Sequence, residues 1–272
     1  PIIRRLLQRL ETLQRSVQRF GEGDLSVRVS EQGQDEVADL ARQFNAAAAR
    51  IEALVKTHKS LLANASHELR SPLTRIRMGL ELMGGNQPSP AFREEILRNI
   101  AELDQLVDEI LLASRLDARE ADVGTVELVD LIGLAAEECA RVDADLDVTA
   151  VPEGLEVRGV AKLLRRALRN LLENARRYSQ GDITVVLQRH DGQAQLSVLD
   201  RGPGVPSALR ERIFEPFYRL PGASERAGGV GLGLALVRSI AQRHNGSVRC
   251  EDQPDGSGGA CFVLRLPLAL TK

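Results

Sequence analysis

The stretch Ser66-His67-Glu68-Leu69-Arg70-Ser71-Pro72 is the first constellation in this sequence whose side chains together could do bond-making chemistry. A neutral imidazole, with an ordinary pKa of about 6.5, is a competent nucleophile near neutral pH. Attack through one ring nitrogen needs an acceptor for the proton on the other, and Glu68 is the adjacent candidate. Leu62, Ala65, Leu69 and Leu73 recur at helical spacing and are expected to point inward, which leaves His67 on the outer side, open to a donor. Pro72 removes one backbone hydrogen bond and is expected to kink the helix and loosen the region around His67. A lone helical histidine is otherwise an ordinary surface or packing residue.

Three further groups follow along the chain. Within Arg169 to Ser179, helical spacing puts Asn170, Asn174, Arg177 and Tyr178 on one face, while Leu164, Ala167, Leu168, Leu171, Leu172 and Ala175 supply the buried side. The carboxamides of Asn170 and Asn174 can offer oxygens to Mg2+, a hard cation that also keeps water and phosphate ligands. Arg177 brings charge for phosphates, and Tyr178 can pack on a base. Asp200-Arg201-Gly202-Pro203-Gly204 comes directly after a strand. A buried Asp200 can accept from an exocyclic amine, with Gly202 and Gly204 allowing close approach of a ring. Gly228-Gly229-Val230-Gly231-Leu232-Gly233 opens a helix, where free N–H groups and the positive dipole end favour phosphates. Between these lie Phe214-Glu215-Pro216-Phe217-Tyr218-Arg219 and Gly222-Ala223-Ser224, read as a lid anchored by its Phe pair, with Arg219 able to reach a terminal phosphate. Neither a Rossmann GxGxxG nor a Walker GxxxxGK[ST] is present. Singly, each group has a structural reading; their joint order is far more restrictive.

Two or three modules must position these groups, because 272 residues are too many for one compact core. A net charge of −2 excludes a polyanion-binding field, and so a nucleic-acid partner. Cys139, Cys250 and Cys261 form neither a CxxC nor an even set, and read as reduced structural residues. No run of about 18 apolar residues occurs to span a bilayer, and no signal peptide is visible. The opening Pro1-Ile2-Ile3 lacks an initiator Met and reads as the start of an excised fragment. Leu6, Leu10, Leu13, Val17 and Phe20 form one heptad seam, and Val37, Leu40, Phe44, Ala47, Ile51 and Leu54 another. Gly21 to Asp24 breaks the helix between them, and Leu25, Val27 and Val29 alternate as an extended connector. A helical hairpin follows, with the loop Gly84 to Pro90, Ser89 as N-cap and Pro90 at the first helical position. Its apolar stripe asks for a second hairpin, giving a four-helix bundle in a homodimer. Composition changes near Val123-Gly124. Beyond it, helices over 130–142, 160–179 and 231–244 and strands over 182–190 and 194–199 indicate a separate α+β domain.

Taken together, these residues resemble the HisKA-type sensor histidine kinases. Ser66 to Leu73 looks like that family's H-box, Asn170 to Ser179 its N-box, Asp200 to Gly204 its first glycine box, Phe214 to Phe217 its F-box and Gly229 to Gly233 its second glycine box. Pro1, Gly23-Asp24-Leu25, Asp35-Glu36-Val37 and Phe44-Asn45 resemble a HAMP domain. The resemblance implies a multidomain fold: a HAMP relay over 1–55, an all-α dimerisation and phosphotransfer hairpin over 56–122, and a Bergerat-type α/β ATP-binding sandwich over 123–272. It implies that His67 accepts the γ-phosphoryl group of ATP with Glu68 as base, then passes it to an Asp of a response regulator receiver domain. Asn170 and Asn174 would hold Mg2+ and phosphates, Arg177 would stand where the family usually has Lys, and Tyr178 would flank adenine. Asp200 would bind the adenine amine, Gly202, Gly204, Gly229, Gly231 and Gly233 would shape pocket and lid, and Arg219 would stabilise transferring charge. It also implies an upstream transmembrane segment and sensor domain, hence the cytoplasmic portion of an inner-membrane protein. Ser71 replaces the Thr found four residues after the histidine in many relatives. It keeps the hydroxyl that orients water for dephosphorylating the partner, but turns more freely. Two other readings stay open: an ATPase driving a conformational cycle, for which Arg166 and Arg169 stand where a water-activating acid is expected, and a non-catalytic scaffold.

Overall fold

The computed structural model describes residues 2–82, 89–117, 124–151, 153–179, 181–221, 230–256 and 258–269. Loop residues 84–88, the expected boundary at 122–123, Gly222-Ala223-Ser224 and Gly229 lie outside them. The chain forms two compact units, Pro1–Asn64 and Ala65–Lys272. Among the described residues, no helix is long and apolar enough to cross a membrane.

In the first unit, α1 (Ile2–Gly21) is joined by a connector to α2 (Glu36–Leu82). Asp35 caps α2 by accepting from the Ala38 N–H at 2.9 Å, and its carboxylate also receives the Arg9 guanidinium at 3.0 Å. Leu13, Ala38, Ala41 and Ala48 are buried, and Phe20 meets Phe44 edge to face at 5.7 Å. Leu6, Leu10, Val17, Leu40, Ile51 and Leu54 remain exposed in the single chain. The connector forms no strand. Instead Asn45 brackets Val29, donating to its carbonyl at 2.8 Å and accepting from its N–H at 2.9 Å. One amide side chain thus pairs the backbone as a strand neighbour would.

The second unit contains the rest of α2 and the return helix α3 (Pro90–Asp117). Ser89 Oγ accepts from the Phe92 N–H at 3.3 Å, so the cap and the proline-led first turn form as expected. Ala65, Pro72, Leu106, Ala113 and Leu116 are buried, while Leu69 is half-buried. Leu62 and Leu73, expected to point inward, are 58% and 54% exposed. α3 also packs along the helix Gly233–Arg243 of the α/β portion, so its buried residues are not all covered by α2, and part of the apolar surface of both helices is left open. α2 also continues through Pro72 unbroken.

The α/β portion is a sandwich. A mixed five-stranded sheet runs in the order β2 (Asp145–Asp147), β4 (Thr184–His190), β5 (Gln193–Leu199), β7 (Cys261–Pro267), β6 (Ser247–Glu251), with only β2–β4 parallel. β1 (Glu127–Asp130) and β3 (Glu156–Gly159) form a separate antiparallel pair. Register places Val185 beside Val198 and Phe262, and Leu187 beside Leu196 and Leu264. All six are buried against α4 (Leu131–Val142), α5 (Ala161–Tyr178) and α6 (Gly233–Arg243). Burial pushes the thiols of Cys139 and Cys261 up to about 11 and that of Cys250 to about 12, so none is a ready nucleophile. His244 ties α6 to the start of α5: its Nδ1 lies 2.7 Å from the Ile240 carbonyl and its Nε2 accepts from the Val160 N–H at 3.0 Å. Both bonds hold only in the neutral ring, and burial depresses its pKa accordingly.

Glu138 of α4 fixes the seating of α5. Its buried carboxylate receives Arg169 at both oxygens, each at 2.9 Å, and Arg165 at 3.2 Å. The Arg169 hydrogen bond, above all, holds this carboxyl below its ordinary value of 4.5. Its stabilisation is therefore present above that value and fades as pH falls through the lower folded-state pKa. Glu138→Gln is expected to cost about 1–2 kcal/mol at neutral pH, because a neutral amide replaces the buried carboxylate that pairs the partly exposed Arg169 and Arg165, and Arg165 keeps Glu137. The difference from the parent should narrow in acid. Urea unfolding followed by circular dichroism checks this, and a gap unchanged from neutral to strongly acid pH would contradict it.

Candidate active site

Two sets of side chains emerge, and the structure keeps them apart. His67 and Ser71 are exposed on α2 and Glu68 is half-buried, so the imidazole faces outward as its register predicts. The Ser71 hydroxyl accepts from Arg75 Nη1 at 3.0 Å. None of His67, Glu68 or Ser71 lines the cleft described next.

That cleft, of about 310 Å3, lies beside the exposed end of α5. Leu164, Ala167, Leu168, Leu171, Leu172 and Ala175 are all at most 2% exposed, and this buried face turns Asn170, Asn174, Arg177 and Tyr178 into the cleft. Asn170 is itself buried and donates through Nδ2 to the Gly233 carbonyl at 3.0 Å, tying α5 to the start of α6. With its nitrogen so used, Oδ1 is the atom left for a cation, which suits a hard metal. Asp200 follows β5 and is 3% exposed. Its Oδ1 accepts from the Gly202 N–H at 2.8 Å and the Ala260 N–H at 3.2 Å, and its backbone carbonyl accepts from Gln253. These bonds hold the carboxyl against the cleft wall. Gly204, Tyr218, Arg219, Gly231 and Gly233 are also in the lining, whereas Gly202 is not.

Of the Phe pair, Phe214 is the one seated in the core, while Phe217 is half-buried. Phe214 is buried and meets Phe262 edge to face at 6.4 Å. Phe217 adopts φ 63°, rare for a bulky residue, and its N–H donates to the Gly231 carbonyl at 2.9 Å. Arg212 stacks over Tyr218 at 4.5 Å. The helix expected from residue 231 begins at Gly233, so Gly231, with φ 79°, belongs to the preceding turn.

One wall went unread in the sequence. Glu102, Gln105, Leu106 and Glu109 of α3 also line the cleft, and Arg166 bonds Glu109 at 2.8 Å. Burial pushes the Glu109 carboxyl up, while Gln105 and Arg166 pull it back. Spacing of three, four and seven residues shows that these four share a helix face, but gives no sign of what that face covers.

Tight packing at Gly202 yields a direct test. A Cβ there would lie 2.7 Å from the Tyr178 carbonyl oxygen and 2.9 Å from Asp200 Oδ1, whereas one at Gly233 would meet only Asn170, at 3.8 Å. Gly202→Ala is expected to cost about 2 kcal/mol in urea unfolding, against under about 0.5 kcal/mol for Gly233→Ala. Equal effects would show that the turn after Asp200 yields more readily than its contacts suggest.

Residues 2–53 match the HAMP domain, residues 57–119 the His Kinase A (phospho-acceptor) domain, and residues 159–270 the histidine kinase-, DNA gyrase B- and HSP90-like ATPase. The chain is 36% identical over 262 residues to the sensor protein RstB of Escherichia coli K12, covering 94% of this chain and 59% of RstB. It is 34% identical over 250 residues to the signal transduction histidine-protein kinase/phosphatase MprB of Mycobacterium sp. strain KMS, covering 86% of this chain and 48% of MprB. The chain thus spans about half the length of the curated relatives it matches. In fold it is similar to the crystal structure of histidine kinase ThkA in complex with the response regulator protein TrrA, with a TM-score of 0.63, 23% identity, and coverage of 86% of this chain and 68% of that one. With all three domain matches in sequence order and these relatives, the chain belongs to the HAMP-containing sensor histidine kinases.

Proposed function

We propose that this chain uses ATP to phosphorylate His67 and passes the phosphoryl group to an Asp of a response regulator receiver domain. The observation that carries this reading is that one chain holds both an outward-facing imidazole on α2 and a cleft gathering Asn170, Asn174, Arg177, Tyr178 and Asp200. In the proposed reaction a ring nitrogen of His67 bonds the γ-phosphorus. The bond to the bridging oxygen breaks, ADP leaves with its electron pair, and Glu68 takes the proton from the other ring nitrogen. Asp200 accepts from the adenine amine and Tyr178 packs on the ring, while Arg177 and Arg219 face the phosphates. Gly204, Gly231 and Gly233 shape the pocket, and Gly202 lets the turn pack closely behind Asp200. Asn170 and Asn174 are the residues that would hold Mg2+, which supplies charge neutralisation between the phosphates. Ser71 orients water for removing the phosphoryl group from the regulator, a second activity that the name of MprB carries for that protein.

Residues 1–55 act in this reading as the relay, 56–122 as the dimerising phosphotransfer hairpin, and 123–272 as the ATP-binding domain, at the cytoplasmic face of a membrane. Exposed Leu73, Leu80, Leu97, Ile100, Val107 and Leu111 support a homodimer closed by a second hairpin. The receiver partner is supported by the ThkA–TrrA complex.

Both tyrosines of the protein line the cleft, and it has no tryptophan, so tyrosine emission reports occupancy directly. Mg-ATP is expected to change that emission, and Asp200→Asn to weaken binding by about 10- to 100-fold. His67→Gln should bind nucleotide normally yet take up no acid-labile label from γ-labelled ATP. Full labelling of the His67→Gln protein would sink the assignment.

A further inference from the structure

Arg75 makes three hydrogen bonds in different directions. Its Nε donates to Asn99 Oδ1 at 2.7 Å, Nη2 to Glu102 Oε2 at 2.6 Å and Nη1 to Ser71 Oγ at 3.0 Å. Asn99 is buried and donates in turn to the Glu95 carbonyl at 2.8 Å, so the Nε anchor is itself fixed on α3. A guanidinium is planar. With two of its donors pinned to α3, the third points in one direction, and that direction is the Ser71 hydroxyl.

The first two bonds suffice to tie the hairpin together. The third, back to the residue four positions earlier on the same helix, adds nothing to that tie. It does act on the hydroxyl. Serine lacks the γ-methyl that narrows threonine to few rotamers, so its Oγ has three staggered wells open to it. A helical serine commonly turns its proton to the carbonyl four residues back, here that of His67. Arginine has no acceptor, so in this pair Ser71 Oγ must accept, keeping its own proton and a second lone pair for another partner.

We propose that Arg75 is a positioning residue for dephosphorylation of the regulator: anchored on α3 through Asn99 and Glu102, it holds Ser71 Oγ in the orientation that aligns the attacking water. This rests on the role given to Ser71 above. In the step, the water oxygen bonds the phosphorus of the aspartyl phosphate and the phosphorus–carboxylate oxygen bond breaks. The carboxylate leaves with the electron pair and one water proton passes to solvent. Arg75 touches none of these atoms. It supplies, from outside the side chain, the restriction that a threonine carries within itself.

The test uses the 272-residue chain and a receiver domain chosen as the fastest to drain label from His67. That receiver is loaded separately with labelled acetyl phosphate, so its dephosphorylation is read apart from transfer. Arg75→Met is expected to slow dephosphorylation about three- to tenfold, from the reopened rotamers and the lost charged donor. His67 labelling should stay within about twofold. Arg75→Lys should remain slow, because an ammonium cannot hold the anchored fork. The decisive variant is Ser71→Thr combined with Arg75→Met, which should recover at least about half the parent rate because threonine restricts its own rotamers. A purely structural tie would not be rescued by a methyl group on residue 71. Should Arg75→Met fail to fold, Asn99→Leu releases the Nε anchor while leaving the guanidinium, and should give the same selective loss. An unchanged rate in Arg75→Met, or no rescue by threonine, overturns the proposal. Ser71→Ala separates the two levels: if it dephosphorylates normally, the role of Ser71 fails, whereas if it is slow and Arg75→Met is not, only the positioning role fails.

Discussion

The rotation of α5 about its own axis fixes where Asn170, Asn174, Arg177 and Tyr178 point, and burial sets that rotation. Six apolar side chains occupy the inner face almost without exposure, so a turn of one residue, about 100°, would drive polar groups into the core and apolar ones into the cleft. Glu138 adds a second restraint from the neighbouring helix. By holding Arg165 and Arg169 it pins the outer flank of α5 one residue before Asn170. Asn170 then fastens the start of α6 through the Gly233 carbonyl, and α6 carries the turn that reaches back to Phe217. The cleft is thus the open side of a packed helix, held from three directions.

The same geometry separates the cleft from His67. Transfer of a phosphoryl group needs the reacting atoms about 3–3.5 Å apart, yet no residue of the His67 turn lines the cleft. The wall it does have from the hairpin is α3, with Glu102 and Glu109 facing a space whose proposed occupant is an anion. Glu109 is buried against Arg166, and Arg166 Nε is left without a partner among the described residues. Partial satisfaction of this kind makes a contact that holds without being deeply stable. On the proposed reading, catalysis therefore requires a second arrangement in which α3 withdraws and the imidazole approaches.

Helices and their faces were legible in the sequence because they are long and periodic; the α5 face, the Ser89–Pro90 start of α3 and the position of Asp200 after a strand follow from spacing and capping alone. β4 and β5 were legible for the same reason. The short strands β1, β2, β3 and β6 were not, since three to five residues carry too little alternation to separate from loop. β7 is apolar nearly throughout, and such a run reads equally as a helix segment. The α3 wall of the cleft and the Arg75 fork depend on which residues approach through the fold. Taken alone, Arg75, Glu102 and Glu109 look like ordinary solvated charges, and Leu106 like any core residue. Asn45 belongs with these: in the sequence it is only part of the resemblance to a HAMP domain, and the structure shows it pairing the backbone of Val29.

Leu62 and Leu73 show where periodicity misleads and why. A helix with apolar residues over a wide arc can face more than one neighbour, and spacing does not say which neighbour is present. Ala65 of α2 is buried, Leu106 of α3 lines the cleft and α3 packs along α6, whereas Leu73, Leu80, Leu97, Ile100, Val107 and Leu111 stay in water. The last four of these recur on α3 at steps of three and seven, then four, the heptad seam of a helix with a further helix to meet. Six large aliphatic side chains left open on two adjacent helices form more than the scattered apolar exposure normal for a soluble surface. The inward-facing pattern expected from the sequence therefore does not hold for Leu62 and Leu73 in the single chain: the apolar arc is wider than the neighbours that cover it, and the proposed homodimer is what would cover the remainder.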